Sequence, residues 1–370
     1  MRNYGIPLVP GPTIVPERVR NAYMRVYGSP DIEEEFIEDY RSAEEKMQKI
    51  LGTKNSVVIM TGEGMLALWS ALKSCFLKDS KRKQRVLAIT NGIFGEGIGE
   101  MARSIGYEVL PLEFEYDEIP DPDVVDDFFR HYKPDILTYV HCETPSGVLN
   151  PLEEIGEIVK SSDTLFYVDV VSSAGGVEIN ADKNGIDLCL VGSQKCLSMP
   201  PVLSMIAVSE KAWDRIRHAD YKGYDSLKDF EKAVENHYFP YTPSWESVAA
   251  LNAACDMVLG VTPKGLRITW EMHKKVAKRC IDGIKGIGLE IFPKKEEYSS
   301  PTVTAVKVPE GVSWQRLDEE LRKRRVVFGG SWGPLKDKVF RIGHMGSQAR
   351  MDFVEEALYE LQKALYRVGR

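Results

Sequence analysis

Lys195 is a basic residue in a small, mostly uncharged stretch, GSQKCLSMPP at 192–201. An apolar, strand-like run at 188–191 precedes the stretch, and a double proline closes it. Lysine is rarely buried without a partner. This lysine is therefore either a surface residue whose amine reaches water or an amine that the fold keeps out of water for chemistry.

Asp169 is a second residue with chemical potential, and it ends the apolar run TLFYVD at 164–169. A carboxylate at the end of a buried strand is costly unless a cation or hydrogen-bond donors face it. By itself, Asp169 could be part of a structural ion pair or a cap on the next segment. Lys195 follows 26 residues later, one strand–connection–strand unit on, so we expect both residues to open onto the same edge of a sheet.

An amine and a carboxylate at one sheet edge suit pyridoxal 5′-phosphate. The lysine forms an imine with the cofactor aldehyde, and the carboxylate stabilises the protonated pyridine nitrogen, which makes the ring an electron sink. Such a lysine must be partly desolvated so that its neutral form is accessible. The small, uncharged neighbours of Lys195 meet that need.

Other strand ends offer groups for the rest of such a cofactor. TGEGM at 61–65 follows an apolar run and opens a helix, where backbone N–H groups could hold a phosphate. The same letters resemble a dinucleotide fingerprint, but the next run ends at Asn91 rather than at an acid, which favours a single phosphate. Phe94 is either a ring that stacks on a flat cofactor or ordinary core. Thr144 in HCETPSG either meets the phenolic oxygen of the cofactor or belongs to a capped turn.

Arg341 stands inside an apolar run, VFRIGHMG, near the end of the chain. A guanidinium in such a place needs a carboxylate, which it can bind with two parallel hydrogen bonds. That carboxylate belongs either to a protein Asp or Glu or to a ligand.

Seven short apolar runs alternate with helix-like stretches up to about residue 210, which predicts an α/β fold with a mainly parallel sheet covered on both faces. In such sheets, ligands bind outside the carboxyl ends of the strands. After about residue 260, the pattern predicts a smaller α+β domain. We therefore expect an extended N-terminal segment (1–15), a large domain (16–259) and a small C-terminal domain (260–370). The runs are SVVIM, RVLAIT, YEVLPL, ILTYVH, TLFYVD, LCLVG and LSMIAV.

The bulk composition fits a globular protein, with 43% hydrophobic and 28% charged residues in 370. The net charge of −7 and the lack of a clustered basic face argue against nucleic-acid binding. No run is long and apolar enough for a transmembrane helix, and the N-terminus has no signal-peptide pattern. The six cysteines show no zinc spacing, so we expect no metal and reduced thiols in a cytoplasmic protein.

Taken together, the motifs resemble the class V aminotransferases, a fold-type I pyridoxal-phosphate family, and most of all its alanine–glyoxylate and serine–pyruvate branch. The resemblance extends over nearly the whole chain. The motifs that carry it, in the order of the family, are PGPTIVPERV, TGEGMLALWSAL, TNGIFGEG, HCETPSGVLNPLEEIG, YVDVVSSAGG, GIDLCLVGSQKCLSMPP, YTPS and VFRIGHMG.

The resemblance implies a role for each matched residue. Lys195 is implied to be the Schiff-base lysine, Asp169 the partner of the pyridine nitrogen, and Val171 and Phe94 the groups on the two faces of the ring. Arg341 is implied to clamp the α-carboxylate of the substrate.

The remaining matches surround the phosphate and the ring oxygen. Gly64 and Met65 match the phosphate loop, and Gln194 matches a side chain that reaches the phosphate. Thr144 matches a hydroxyl near the ring oxygen, and Thr242 a phosphate contact from the partner subunit. A shared site of this kind implies an obligate homodimer.

These observations predict a transaminase that moves an amino group from alanine or serine to glyoxylate or pyruvate. One alternative is another class V reaction, of the lyase or desulfurase type. A desulfurase needs a nucleophilic cysteine on a flexible loop of the small domain, where Cys280 is the only cysteine and lies in a helix-like stretch. A nicotinamide-dependent dehydrogenase rests on GEGMLA alone. A non-catalytic binding protein would not need Lys195, Asp169 and Arg341.

Overall fold

The computed structural model describes residues 5–369, a chain of alternating strands and helices followed by a second, smaller sheet. Its strands are β1 (Ile6–Leu8), β2 (Ser56–Thr61), β3 (Arg85–Thr90), β4 (Glu108–Glu113), β5 (Ile136–Val140), β6 (Cys142–Glu143), β7 (Val148–Leu149), β8 (Leu165–Asp169), β9 (Leu188–Gly192), β10 (Leu203–Val208), β11 (Val303–Lys307), β12 (Val326–Gly330) and β13 (Val339–Gly343).

Helices connect most of these strands and cover both faces of the larger sheet. They are α1 (Glu17–Tyr23), α2 (Glu34–Leu51), α3 (Gly64–Ser74), α4 (Ile93–Ile105), α5 (Pro122–Tyr132), α6 (Leu152–Val159), α7 (Glu210–Ala219), α8 (Trp245–Leu259), α9 (Gly265–Gly286), α10 (Trp314–Lys323) and α11 (Met351–Val368). A short 3₁₀ turn at Gly346–Gln348 precedes the last helix, α11.

The large sheet consists of the seven strands predicted from the apolar runs. Their order across the sheet is β2-β10-β9-β8-β5-β3-β4. All run parallel except β10, which is antiparallel to both β2 and β9. The central strands are buried along their whole length, as expected for strands covered on both faces. The predicted α/β fold with a mainly parallel sheet is confirmed.

The carboxyl ends of several parallel strands meet at one edge of this sheet. β8 ends at Asp169, and β9 leads directly into the loop with Lys195. β2 leads into the start of α3, and β3 into the start of α4. One strand–helix–strand topology therefore brings residues that are far apart in sequence to one place.

The small sheet has the order β1-β12-β13-β11. β1 pairs in parallel with β12, and the other pairs are antiparallel. Strand β1 was not expected from the sequence, because a three-residue strand next to prolines has no periodicity of its own. It places the N-terminal segment in the sheet of the C-terminal region.

We propose that the chain divides into two domains near residue 260, as the sequence suggested. The largest cluster of buried apolar side chains runs from Val19 to Val258, and the second lies between Val276 and Leu365, with Ile6 and Leu8 added from β1. Residues 1–4 and residue 370 of the expected segments lie outside the described residues. Within residues 5–369, no helix combines the length and apolar character that crossing a membrane requires.

The segment after β1 ties the two regions together. The Gln348 side chain accepts a hydrogen bond from Ile14 N at 2.9 Å and donates to Val9 O at 2.9 Å. On the other side, Thr13 N donates to Gln194 O at 3.1 Å. The segment therefore has fixed partners both in the small-sheet region and in the lysine loop.

Gly343 allows this segment to pass close to β13. A Cβ added at Gly343 would lie 2.4 Å from both Pro10 N and Val9 O, and these backbone atoms cannot rotate away. We expect Gly343→Ala to lower the free energy of unfolding by about 1–3 kcal/mol, as overpacking commonly does. Gly97→Ala is the control, since its Cβ would meet nothing within 4 Å and it lies inside α4. Thermal denaturation followed by circular dichroism measures both, and equal melting temperatures for the two variants would contradict the prediction.

Candidate active site

A cavity of about 290 Å³ opens at the carboxyl edge of the large sheet. The elements around it come from the N-terminal segment, the starts of α3 and α4, the ends of β8 and β9, and the loop after β12. The lining residues are Gly11, Pro12, Glu63, Gly64, Met65, Leu68, Phe94, Cys142, Asp169, Val171, Ser172, Gln194, Lys195, Pro201 and Trp332. Seven residues predicted from the sequence are therefore brought together around one space.

Lys195 lies at the bottom of this cavity, with 9% of its surface exposed. Its Nζ donates a hydrogen bond to Pro10 O at 2.5 Å, and its backbone carbonyl accepts one from the Thr13 hydroxyl at 2.9 Å. Gly11 has a φ of +91°, and a Cβ there would lie 2.6 Å from Lys195 Cδ. The N-terminal segment thus lies along the lysine side chain, and glycine is required where the two are closest.

The surroundings of Lys195 lower its pKa to about 8. Burial is the main cause, because it disfavours the charged amine, and the positive charge of Arg341 acts in the same direction. Cys142 and Asp169 oppose the shift. The neutral form, which is available as a nucleophile or a base, is therefore far more populated near neutral pH than in an ordinary lysine.

Asp169 lies at the end of β8, with 6% of its surface exposed. Its Oδ1 accepts a hydrogen bond from Val171 N at 2.8 Å. Burial raises the pKa of its carboxyl to about 6, although this hydrogen bond and the positive charge of Lys195 act to lower it. An ion pair with a cationic ligand group in the cavity would favour the carboxylate form.

The start of α3 forms another wall of the cavity. Glu63 caps the helix, since its Oε1 accepts a hydrogen bond from Met65 N at 3.1 Å. Its Oε2 accepts a hydrogen bond from Gln194 Nε2 at 3.3 Å. The other amide atom of that side chain, Gln194 Oε1, is buried and has no partner. Gly64 is buried and Met65 is partly exposed beside them.

Phe94 and Val171 both line the cavity. The fully buried carboxyl of Glu143 holds the start of α4, accepting hydrogen bonds from Gly95 N at 2.7 Å and Phe94 N at 3.3 Å. Burial raises the pKa of Glu143 to about 8 in spite of these bonds. Glu143 therefore fixes the backbone from which the Phe94 ring projects.

Arg341 lies behind the cavity wall in β13 and is 2% exposed. Its guanidinium carbon is 4.5 Å from the centre of the Trp332 ring, and its Nε donates to Gly330 O at 2.8 Å. Nη1 is buried and has no partner. Burial lowers the pKa of this arginine to about 10. A buried guanidinium with an unpartnered Nη1 is suited to bind a carboxylate.

Besides Arg341, two predicted residues do not line the cavity. Thr144 is fully buried, and its hydroxyl is 2.5 Å from that of Ser172, which does line it. Thr242 is exposed, away from the cavity of its own chain, and donates a hydrogen bond to Asp31 at 2.9 Å.

Three features of the site were missed in the sequence. Pro10 and Gly11 contact Lys195 only because the N-terminal segment folds back over it, although the glycine between two prolines was a signal of close approach. Trp332 lies in a loop with no periodicity. Glu63 stands inside the TGEGM motif, where the glycines drew attention to the backbone and not to the acidic side chain.

The desulfurase alternative depended on Cys280. This cysteine is fully buried in α9, and burial raises the pKa of its thiol to about 12. A thiol in this state is neither accessible nor nucleophilic.

Comparison with known proteins gives one consistent result. The family model described as aminotransferase class-V matches residues 10–330. An uncharacterized aminotransferase of Methanocaldococcus jannaschii is 39% identical over 367 residues, covering 96% of this chain and 92% of the relative. The alanine–glyoxylate aminotransferase of Oryctolagus cuniculus is 30% identical over 375 residues, covering 97% and 92%. The crystal structure of pyridoxamine-pyruvate aminotransferase from Mesorhizobium loti matches with a TM-score of 0.93 at 32% identity, covering 100% of this chain and 93% of that one.

The lowered pKa of Lys195 gives a measurable pH dependence. The amine is protonated and unreactive below its pKa, so its reductive methylation by formaldehyde should rise with pH to half its maximum at about 8. Arg341→Met removes a positive charge that lowers this pKa, and the midpoint should move upward. Mass spectrometry of the Lys195 peptide, with the exposed Lys54 as reference for the reagent, provides the measurement. A midpoint at the ordinary lysine value of about 10.4 would contradict the prediction.

Proposed function

The chain belongs to the class V aminotransferase family, and from that premise we propose that it moves an amino group from a small amino acid, alanine or serine first, to glyoxylate or pyruvate. The observation that carries the proposal is a buried amine of lowered pKa, Lys195, which shares one cavity with the Asp169 carboxyl. The names of two relatives, with glyoxylate and pyruvate as oxo acids, support the acceptors.

The family uses pyridoxal phosphate, and the ring half of that group fits the cavity. Lys195 would hold its aldehyde carbon and Asp169 its pyridine nitrogen, with Phe94 and Val171 against the ring faces. When bound, the group supplies a carbonyl that takes up the amino group and a ring that delocalises the electron pair left behind when the α-proton is removed. At the other end, Gly64, Met65 and Gln194 are the residues expected around the phosphate, and Glu63 stands among them.

Lys195 is the group that moves the proton. With a pKa of about 8, its Nζ passes between the neutral and charged forms near neutral pH without a large cost in either direction. It can therefore take a proton from the α-carbon of the amino acid and return it on the other side of the transferred nitrogen. The Pro10 carbonyl, at 2.5 Å from Nζ, orients the amine and stabilises its charged form.

Arg341 is the group that we propose to bind the substrate carboxylate. Its guanidinium is close enough to Lys195 to lower the pKa of that amine, so a carboxylate on it would lie next to the reacting carbon. Among the described residues that line the cavity, Lys195 is the only basic side chain. A distal carboxylate, as in aspartate or glutamate, would find no cation there.

We also propose a homodimer, in which Thr242 serves the site of the partner subunit. Thr242 is exposed although it belongs to the matched motif YTPS. Its neighbour Tyr241 already contacts the strand that leads into α3, since its hydroxyl accepts a hydrogen bond from Thr61 N at 3.2 Å. The exposed Thr242 is therefore next to a residue that contacts the phosphate end of the site in its own chain.

We place the protein in the cytoplasm on the state of its thiols. All six cysteines are buried as free thiols, and none forms a disulfide. Structural disulfides are common in oxidising compartments, whereas free thiols are typical of reducing ones.

Chemical labelling tests the role of Lys195 directly. We expect that borohydride reduction after incubation with pyridoxal, or separately with pyridoxal phosphate, places a pyridoxyl group on Lys195 in at least one case. Lys195→Ala should abolish this label and lower kcat by several orders of magnitude, because it removes both the attachment point and the base. Peptide mapping gives the answer, and a label confined to other lysines with both reagents would refute the proposed function.

Substrate choice tests the role of Arg341. We expect kcat/KM to be higher for alanine and serine than for aspartate and glutamate, because the cavity offers no cation for a second carboxylate. Arg341→Lys keeps the charge but loses the bidentate geometry, and should raise KM for the amino acid by roughly tenfold to a hundredfold. Arg267→Lys, at an exposed position on α9, is the matched control. A preference for an acidic amino acid would show that another basic group completes the site.

A further inference from the structure

Glu63 places an acidic side chain where the site would receive a phosphate. It lines the same cavity as Lys195 and Asp169 and lies half-buried at the first turn of α3. Its two carboxyl oxygens occupy two different donors, Met65 N at 3.1 Å and Gln194 Nε2 at 3.3 Å. A phosphate at a helix start binds to donors of this kind. The carboxyl oxygens of Glu63 therefore occupy the hydrogen-bond donors that phosphate oxygens would use.

A phosphate monoester would meet two obstacles here. It would have to displace the Glu63 carboxyl from its donors, and it would bring about two negative charges at neutral pH next to an acid. Like charges in a partly buried site disfavour binding. The described side chains of this wall, Met65, Leu68 and Gln194, supply no cation to compensate.

A neutral hydroxymethyl group meets neither obstacle. Its O–H can donate to a carboxyl oxygen of Glu63, and a hydrogen bond to a charged acceptor is among the stronger ones. Its oxygen can also accept a hydrogen bond from the second N–H of Gln194 Nε2, whose other N–H is donated to Glu63. The buried, unpartnered Oε1 of Gln194 is a further acceptor for the alcohol O–H. The pocket wall is therefore complementary to an alcohol at this position and not to a phosphate.

We propose that the site binds the pyridoxal–pyridoxamine pair without its 5′-phosphate, and that Glu63 selects against the phosphorylated forms. This inference rests on the proposed function, because it uses Lys195 and Asp169 at the ring end unchanged. It departs from the cofactor expected from the resemblance at the 5′ position only. Without a phosphate anchor, the pyridine compound exchanges with solvent and acts as a substrate of the transamination.

The reaction balances without any further reagent. Pyridoxamine and a 2-oxo acid condense through the amine nitrogen and the carbonyl carbon, with loss of one water. Lys195 Nζ removes a proton from the methylene carbon next to the ring, and a proton is delivered to the former carbonyl carbon of the oxo acid. Addition of one water then releases pyridoxal and an amino acid. The pyridine compound has lost two electrons, and the oxo acid has gained them.

Equilibrium binding to the purified full chain tests the selection at the 5′ end. Pyridoxamine and pyridoxamine 5′-phosphate both lack an aldehyde and cannot attach to Lys195, so isothermal titration calorimetry of the two compares the 5′ ends alone. We expect the wild type to bind pyridoxamine more tightly by roughly tenfold to a hundredfold. Glu63→Ser should reverse the preference, because it removes the acid and frees Met65 N and Gln194 for the phosphate.

The variants are chosen so that a loss of folding is not confused with a loss of selection. Serine is a favourable helix N-cap, so Glu63→Ser should keep α3, which circular dichroism verifies. Glu63→Gln, which removes only the charge, should lie between the wild type and Glu63→Ser. Glu157→Gln is the control, since it removes an exposed glutamate on α6 and should leave both affinities unchanged.

The outcomes separate this inference from the proposed function. Tighter binding of pyridoxamine 5′-phosphate to the wild type, or an unchanged preference in Glu63→Ser, would overturn the inference while Lys195 labelling by pyridoxal phosphate still upheld the transaminase. Failure of the wild type to bind either compound, together with no label on Lys195, would overturn both. Conversion of free pyridoxamine and pyruvate to pyridoxal, detected by absorbance, would support the inference a second time.

Discussion

The structure depends on keeping one lysine amine buried and still reactive. Lys195 has little exposed surface, and the cost of burying its charge is what lowers its pKa to about 8. The fold limits that cost with one carbonyl, Pro10 O, and within residues 5–369 no carboxylate accepts a hydrogen bond from the amine. A full ion pair would have stabilised the charged form and removed the neutral amine from neutral pH. The N-terminal segment is therefore part of the chemistry, since it supplies that carbonyl.

The N-terminal segment also explains why residues from both sheets lie close to one site. Its backbone and side chains bond to the lysine loop through Thr13, and to the small-sheet region through Val9 and Ile14. Gly11 and Gly343 allow it to pass close to both. Arg341, on the strand that Gly343 ends, is thereby held near Lys195, and its positive charge lowers the pKa of the lysine further. The guanidinium is buried and its Nη1 has no partner, which favours binding of an anion there.

Much of the fold could be predicted from the sequence, because strands buried on both faces are continuous apolar runs between helices. Asp169, Lys195, Phe94 and Gly64 could be identified because they lie at or just after the carboxyl ends of those runs. In a parallel sheet these ends lie at one edge, which brings the four residues together. Strand β1, the contact of Pro10 with Lys195 and the stacking of Trp332 on Arg341 could not be predicted in this way. They arise from pairings between residues hundreds of positions apart or from loops, where no periodicity indicates which side chain points inward.

Glu63 is a favourable N-cap for its own helix, and the same side chain changes which ligand the site can bind. For α3, an acid at the N-cap is favourable, because it satisfies a free backbone N–H and complements the positive end of the helix dipole. The helix therefore gains from Glu63 in the absence of any ligand. For an anionic ligand the same contacts are unfavourable, because the donors and the positive end of the dipole are already neutralised. A helix start can thus keep the glycine-rich loop of a phosphate site and still prefer a different ligand. One acidic side chain is enough to change the preferred ligand from an anion to a neutral hydrogen-bond donor.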